Sequence, residues 1–135
     1  MSRHSLSAAL LIASLCAGKQ ASAHHSAVMF DMSHISIIQG TVKDFQWTNP
    51  HSWLLIEVAA ADGATSTWSF EAGPPTILMR MGVKKADFVA GEKVAVHAWA
   101  MKDGMPAGLL QSVVRADGST INVAALERTD KDAAQ

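Results

Sequence analysis

Short stretches of alternating apolar and polar residues run along most of this chain, and they predict a protein built mainly of β-strands. In the segment 65–72, Trp68 and Phe70 fall on one face, whereas Ser69 and Glu71 fall on the other. Four more segments are interpreted as strands, and a short apolar stretch at 121–124 follows them. The four segments comprise residues 35–47, 52–60, 92–101 and 109–118.

Turn signals separate these strands and place one helix among them. Asp62-Gly63 lies between the second and third strands and predicts a hairpin turn. After the third strand, two prolines open an apolar stretch that ends at Gly82, which predicts a short helix at about 76–81. Gly40, inside the first strand, predicts a bulge or a sharp bend.

The order of three strands, a helix and two strands predicts the fold class. It is the element order of the OB-fold, so we expect a mainly β protein: a small OB-fold-like five-stranded barrel with one short helix between strands 3 and 4. A bent first strand suits such a barrel, because its strands curve strongly. A small α+β sandwich is also compatible with this order.

The N-terminal segment has the pattern of a cleaved secretory signal peptide. Arg3 precedes an apolar stretch too short to span a bilayer, and Ala21-Ser22-Ala23 ends it as an A-x-A cleavage signal. We therefore expect a periplasmic or secreted protein. The predicted divisions are a cleaved signal peptide at 1–23, a single β-barrel domain at 24–127 and a disordered polar tail at 128–135.

Cleavage changes the charge of the chain and removes its cysteine. Loss of Arg3 and Lys19 leaves 9 basic residues against 12 acidic ones, a net charge of −3, with no basic cluster. We therefore expect no nucleic-acid partner, and no membrane attachment after cleavage. Because Cys16 is the only cysteine, the mature chain has to fold on its hydrophobic core without a disulfide.

Five segments of the chain together resemble a family of small exported bacterial proteins of unknown function. They are AHHSAVMFD, GTVKDFQWTNPHSWLLIEV, DGATSTWSFEAG, GVKKADFVAGEKVAV and KDGMPAGLLQSVVRADG. The shared pattern is an AHHS start, a G-T-V strand, a W-x-N-P-H corner and a late D-G. Val83 and Ala27 depart from it, and we interpret both as packing changes. The resemblance implies export and a common fold, and it assigns no activity.

Cleavage after Ala23 would make His24 the first residue of the mature chain. Its α-amino group, with an ordinary pKa of about 7.7–8.0, and its own imidazole would then form a bidentate nitrogen chelate. Nitrogen-rich sites favour Cu(II). His51 is the best candidate for a third nitrogen, because Pro50 stiffens the corner that carries it. We therefore predict an exported metal-binding protein, with copper as the metal.

Two more residues complete the predicted metal set of His24, His25, His51 and Met29. His25 offers a local alternative, in which its amide and imidazole chelate Cu(II) together with the terminal amine. Met29 is a nearby thioether, a soft ligand that suits Cu(I). Competing interpretations stay open: the two N-terminal histidines would be a leader without function, and His51 a turn residue.

The remaining candidates have simpler interpretations. Six methionines follow the signal peptide, and for Met79 and Met81 we expect a role as core fillers in an apolar helix. His97 lies in mid-strand, where a hydrogen-bonded histidine is commoner than a ligand. Glu57 and Glu71 lie on adjacent predicted strands and could face each other, although strand faces carry such residues routinely.

The sequence has no catalytic motif, so we expect a binding protein rather than an enzyme. The mature chain has no thiol nucleophile, no G-x-S-x-G and no H-E-x-x-H. The alternative function is an OB-fold-like non-metal binding module for a peptide, sugar or small ligand, which would use Trp47 and Trp53 beside the His51 corner. A copper oxidase ranks third, because no substrate groove is evident. Trp47 and Trp53 could equally close one end of the barrel, and we favour that role.

Overall fold

The computed structural model describes residues 27–124. The predicted signal peptide, the tail at 128–135 and the two N-terminal histidines lie outside the described residues. Six strands, one α-helix and two 3-10 helices follow one another, and their bounds are: 3-10 helix Ala27–Met29, β1 Ser36–Gln46, β2 Ser52–Ala59, β3 Thr65–Ala72, α1 Pro75–Arg80, 3-10 helix Lys85–Asp87, β4 Lys93–Ala100, β5 Ala107–Arg115 and β6 Thr120–Asn122.

The first five strands close into a mixed barrel, which confirms the predicted fold class. The strands pair in the order β3-β2-β1-β4-β5, and a parallel pairing of β3 with β5 joins the two ends. α1 lies between β3 and β4, as predicted, and β6 adds a short antiparallel partner to β5. The α+β sandwich is thereby excluded for the described residues.

β1 pairs with β4 along its first half and with β2 along its second half, and Gly40 lies where the partner changes. Residues up to Thr41 pair with β4, and residues from Thr41 onward pair with β2. A Cβ atom on Gly40 would lie only 2.7 Å from the carbonyl oxygen of Glu57, so the close approach of β2 requires glycine. The irregularity itself lies between Val42 and Asp44. The register shift thus lies beyond Gly40, so a bulge at Gly40 itself is wrong, and the alternative of a sharp bend there stays a prediction.

The core fills the barrel with the inward-facing residues of all five strands. Phe45 stacks on Phe88 with 4.0 Å between ring centroids, which ties β1 to the segment before β4. Leu78 is the residue of α1 that the core buries completely. The largest fully buried side chains are Phe70, Leu54, Ile56, Leu78, Leu110, Val96 and Val113. Burial on this scale is the main stabilising contribution to such a domain.

Two methionines at the end of α1 are exposed to solvent. Met79 and Met81 are 57% and 36% exposed, so the prediction that they fill the core is wrong. The helix has only six residues, and of these only Pro75 and Leu78 are buried. Over residues 27–124, no helix is long and apolar enough to cross a membrane.

Candidate histidine–carboxylate site

The connection between β1 and β2 forms a corner that carries His51. The hydroxyl of Thr48 donates to the carbonyl oxygen of His51 at 2.8 Å, and the amide of Ser52 donates to the carbonyl of Gly73 at 3.2 Å. The Asn49–Pro50 peptide bond inside the corner is cis. These bonds fasten the corner to itself and to the end of β3. The backbone of His51 is therefore fixed against the strand that carries Glu71.

The imidazole of His51 lies in close contact with a buried carboxylate. Its Nδ1 lies 2.7 Å from Oε1 of Glu71, and the side chain of Glu71 is only 7% exposed, against 35% for the imidazole. An ionised carboxylate accepts hydrogen bonds and donates none, so Nδ1 carries the hydrogen. A neutral imidazole then presents its lone pair at Nε2. The pair thus selects the tautomer and the orientation of the ring.

Glu71 is buried although it faces outward from the barrel. Register pairs it with Trp53 of β2 on one side and with Leu109 of β5 on the other, and Leu109 pairs in turn with Trp99 of β4. Directly paired residues project to the same face of a sheet. Trp53, Leu109 and Trp99 are all half-buried. They form a row across four strands, here called the outer row: Trp53, Glu71, Leu109 and Trp99.

The two tryptophans that flank the corner have different roles. Trp47 packs against the core, with 5.8 Å between its ring centroid and that of Phe45; its closing of one barrel end stays a prediction. Trp53 belongs to the outer row beside Glu71. The expectation that Glu57 and Glu71 face each other is wrong, because register pairs Glu57 with Thr67.

The other predicted ligands divide between two places. His24 and His25 lie outside the described residues. Met29 ends the first 3-10 helix, and its carbonyl accepts a hydrogen bond from the amide of Lys102 in the β4–β5 turn at 3.0 Å. No hydrogen bond or ion pair links Met29 to His51 in the described part of the chain. His97 is half-buried in β4, paired with Ile37 and Ser112.

Comparison with known sequences identifies the family of this chain. A family of unknown function, DUF6152, matches residues 12–111, which include the corner, Glu71 and all the predicted metal ligands. The chain belongs to DUF6152. No characterised protein matches the chain, and no solved structure matches it. The predicted membership of an uncharacterised family is confirmed, and the histidine–carboxylate pair supplies a chemical feature that the DUF6152 description does not contain.

The clearest cleft of this DUF6152 member does not lie at the His51 corner. A cleft of about 480 Å³ lies elsewhere, over the middle of β1, and its lining includes Gln39, Thr41 and Lys93 but neither His51 nor Glu71. Within residues 27–124, no three side chains of His, Cys, Asp or Glu are grouped as a complete metal site.

Sequence reasoning named Glu71 as a possible partner of Glu57, and it missed the contact of Glu71 with His51. The Asp62-Gly63 turn sets a register in which Glu71 opposes Trp53, and this places Glu71 diagonally across from residue 51. Diagonal neighbours on paired strands lie within reach of long side chains. Counting from the turn would therefore have found the pair. Its burial has no sequence signal, because the outward face of a strand is ordinarily solvated.

Proposed function

We propose that this protein is an exported metal-binding protein, with copper as the metal, and that His51 provides an imidazole ligand. The observation that carries the proposal is the 2.7 Å contact between His51 Nδ1 and the buried Glu71 carboxylate. Histidines that ligate metals almost always donate their other ring nitrogen to a carboxylate, a carbonyl or water. In that arrangement Nε2 is the ligating atom.

The remaining donors come from the predicted mature N-terminus. The amine and imidazole of His24 supply two nitrogens and Nε2 of His51 a third, with His25 or Met29 in support. Three nitrogens in one plane are the donor set that Cu(II) favours. The first described residue is Ala27, and three extended residues span at most about 11 Å. The proposal therefore requires the corner to lie within that reach, plus the length of a histidine side chain.

Copper titration of the exported protein tests this proposal. Intact mass should first show a chain that begins at His24. We expect His51→Ala to weaken Cu(II) binding at least tenfold and to remove one nitrogen from the electron paramagnetic resonance pattern. We expect Glu71→Gln to weaken binding about tenfold while keeping the nitrogen count, because losing the hydrogen-bond partner of a ligating histidine typically costs about 10–100-fold in metal affinity. His97→Ala is the matched control and should change neither.

Unchanged binding and an unchanged spectrum in His51→Ala would contradict the proposal and leave only local chelation by the leader. Elemental analysis of the natively exported protein gives an independent test. If the protein bound no copper in the titration and contained no metal by elemental analysis, a non-metal binding function would be favoured.

The second candidate is a non-metal binding module, and the outer row supports it. OB-folds bind oligonucleotides and oligosaccharides on the face of strands 2 and 3, between the β1–β2 and β4–β5 loops. Trp53 and Glu71 occupy that face, and the His51 corner is its first loop. The acidic charge disfavours nucleic acid, so a sugar or peptide fits better. Quenching of tryptophan fluorescence by such a ligand, lost in Trp53→Leu but retained in Trp47→Leu, would support this function.

A further inference from the structure

The first half of β1 has a strand neighbour on one side only. β4 pairs with β1 as far as Thr41, whereas β2 pairs with it only from Thr41 onward. The amide of Val42 donates to the carbonyl of Glu92 at 2.8 Å, so the backbone groups of Val42 face the β4 side. Because successive residues of an antiparallel strand direct these groups to opposite sides, those of Ile37 and Gln39 face away from β4. No hydrogen bond within residues 27–124 uses them.

β2 presents free backbone groups to the same gap. The amide of Ala60 donates across the β2–β3 hairpin, so the backbone groups of the odd-numbered residues before it face β1. Glu57 uses this side to pair with β1, and Ala59 is the next residue on it. Ala59 would oppose Gln39 if the pairing continued, but the two strands separate before these residues meet. We call Ile37, Gln39 and Ala59 the split edge, because they line two strands that diverge.

The cleft of about 480 Å³ borders the split edge. Its lining includes Gln39 and Ala59 and continues across β4, where it includes Ala95 and Lys93. Register pairs Gln39 with Ala95, and Lys93 projects to the same outer face because it lies two residues before Ala95. The volume is typical of ligand sites, which run from about 300 to 1,000 Å³. The outward-facing side chains of a segment bound at the split edge would therefore lie beside this cleft.

The cleft has one lysine without a carboxylate partner in the described part of the chain. Arg115, which also lines the cleft, has its Nε 3.1 Å from Glu92. Glu57 lies 3.5 Å from the ammonium group of Lys43. Lys93 is exposed and forms no ion pair within residues 27–124. The charge that the cleft leaves uncompensated is therefore positive, and it favours a ligand with a carboxylate.

We propose that the split edge binds an extended peptide segment that carries an acidic residue. The backbone of the segment pairs with the free groups of β1 and β2, and its carboxylate lies near Lys93. A strand added to a sheet edge obtains affinity from main-chain hydrogen bonds and specificity from side-chain contacts. A single segment has two free sides and can bond to both diverging strands. The edge strand of a second barrel has only one free side, because its own sheet occupies the other.

The composition of the split edge supports this assignment. Proteins ordinarily protect open edges with lysine, proline, a bulge or an inward-pointing charge. Ile37, which is 62% exposed, Gln39 and Ala59 provide none of these residue types. The register shift of β1 lies beyond them, after Val42. The split edge is independent of the metal proposal, since it involves neither His51 nor the N-terminal amine.

Two seven-residue peptides test the split edge on the whole exported protein by amide nuclear magnetic resonance. Both are acetylated and amidated and alternate threonine with valine; one has aspartate at its centre and the other lysine. We expect the aspartate peptide to shift the amide signals of Ile37, Gln39 and Ala59 and to slow their hydrogen exchange. Thr65 and Thr67 are the matched control, because they belong to a second open edge: β5 pairs only with the later part of β3. Their signals should stay in place.

Two variants separate backbone pairing from charge. Gln39→Pro removes an amide that no strand uses, which a strand edge tolerates, and should weaken the aspartate peptide about tenfold, the effect of one net hydrogen bond. Thr65→Pro is its control on the other edge and should leave binding unchanged. Lys93→Glu should weaken the aspartate peptide about threefold and strengthen the lysine peptide by a similar factor. This exchange of preference decides the test even if a proline variant fails to fold, which thermal melting would show.

Three results would overturn the assignment. Unmoved signals of the split edge with both peptides would show that it binds no strand, and equal shifts at Thr65 and Thr67 would reduce it to ordinary edge pairing. Slow exchange of the Gln39 amide in the free protein would mean that the edge is already covered, by a second copy if dilution speeds the exchange and by this chain itself if it does not. His51→Ala should leave peptide binding unchanged, so failure at the histidine corner and failure at the split edge are distinguishable.

Discussion

Two histidine–carboxylate pairs occur within residues 27–124, and they differ mainly in burial. His51 belongs to the β1–β2 corner and Glu71 to β3; their side chains lie 2.7 Å apart, and the carboxylate is 7% exposed. His34 and Asp31 lie three residues apart in one loop, at 3.2 Å, with side chains that are 63% and 35% exposed. The first pair crosses the fold, whereas the second belongs to the local chain. The same kind of pair therefore occurs once with a buried carboxylate and once in an exposed loop.

The comparison teaches what makes such a pair useful. A buried hydrogen bond to a charged group is stronger than an exposed one, because water does not compete for it. An exposed pair contributes little and is screened by salt. In the loop, moreover, Ser33 supplies Asp31 with two hydrogen bonds, from its amide and its hydroxyl, so His34 is not the main partner. Only the buried pair can hold an imidazole in one orientation.

Removing each carboxylate should give the largest difference between the two pairs. We expect Glu71→Ala to lower the free energy of unfolding by about 2 kcal/mol. The substitution removes the buried partner of His51 and leaves a cavity between Trp53 and Leu109. Asp31→Ala should give a much smaller loss, because the hydrogen bonds that Asp31 accepts are exposed to water. Urea unfolding at neutral pH measures both. Glu71→Gln, which keeps the shape and one acceptor oxygen, should lie between Glu71→Ala and the wild type.

An equal loss of stability in Glu71→Ala and Asp31→Ala would break the comparison, since burial would then not decide the strength of the pair. A double-mutant cycle of His51→Ala with Glu71→Ala isolates the coupling from the cavity. We expect a coupling of about 1 kcal/mol or more in that cycle.

The barrel could be predicted from local patterns because its strands alternate cleanly. β3 has the predicted bounds, since the Asp62-Gly63 turn precedes it and prolines follow it. Gly40 was misinterpreted because a glycine in a strand has two causes, a bulge or a close neighbour, and only the fold shows that the carbonyl of Glu57 lies against it. Met79 was misplaced because an apolar helix of six residues buries only a narrow face.

The site could be predicted in part. His51 stands out from its corner motif, but Glu71 does not, because its burial depends on Trp53, on Leu109 and on the corner folding back. These are non-local contacts, which alternation along one strand does not encode.

A smaller effect sharpens the comparison at the buried corner itself. Ser52 directly follows His51, but its hydroxyl points to the opposite face, where it is fully buried with no hydrogen-bond partner among the described residues. A buried unpaired polar group is destabilising. We expect Ser52→Ala to raise the free energy of unfolding by about 1 kcal/mol, measured by urea unfolding. Ser66→Ala, at an exposed position of β3, is the control and should have almost no effect; a loss of stability in Ser52→Ala would show that the hydroxyl has a partner.

The smallest expected effect is on the pKa of the exposed carboxylate, Asp31. The hydroxyl of Ser33, followed by its amide, lowers the pKa of Asp31 below its ordinary value, and the charge of His34 contributes less. A lowered pKa in the folded state stabilises the protein above the unfolded value, near 3.8, and this contribution disappears as the pH falls through the folded value. We therefore expect Ser33→Ala to raise the pKa of Asp31 more than His34→Ala does, as followed by carboxyl carbon resonances between about pH 2 and 6. The opposite order would mean that His34 holds Asp31 as His51 holds Glu71, and exposure would then no longer separate the two pairs.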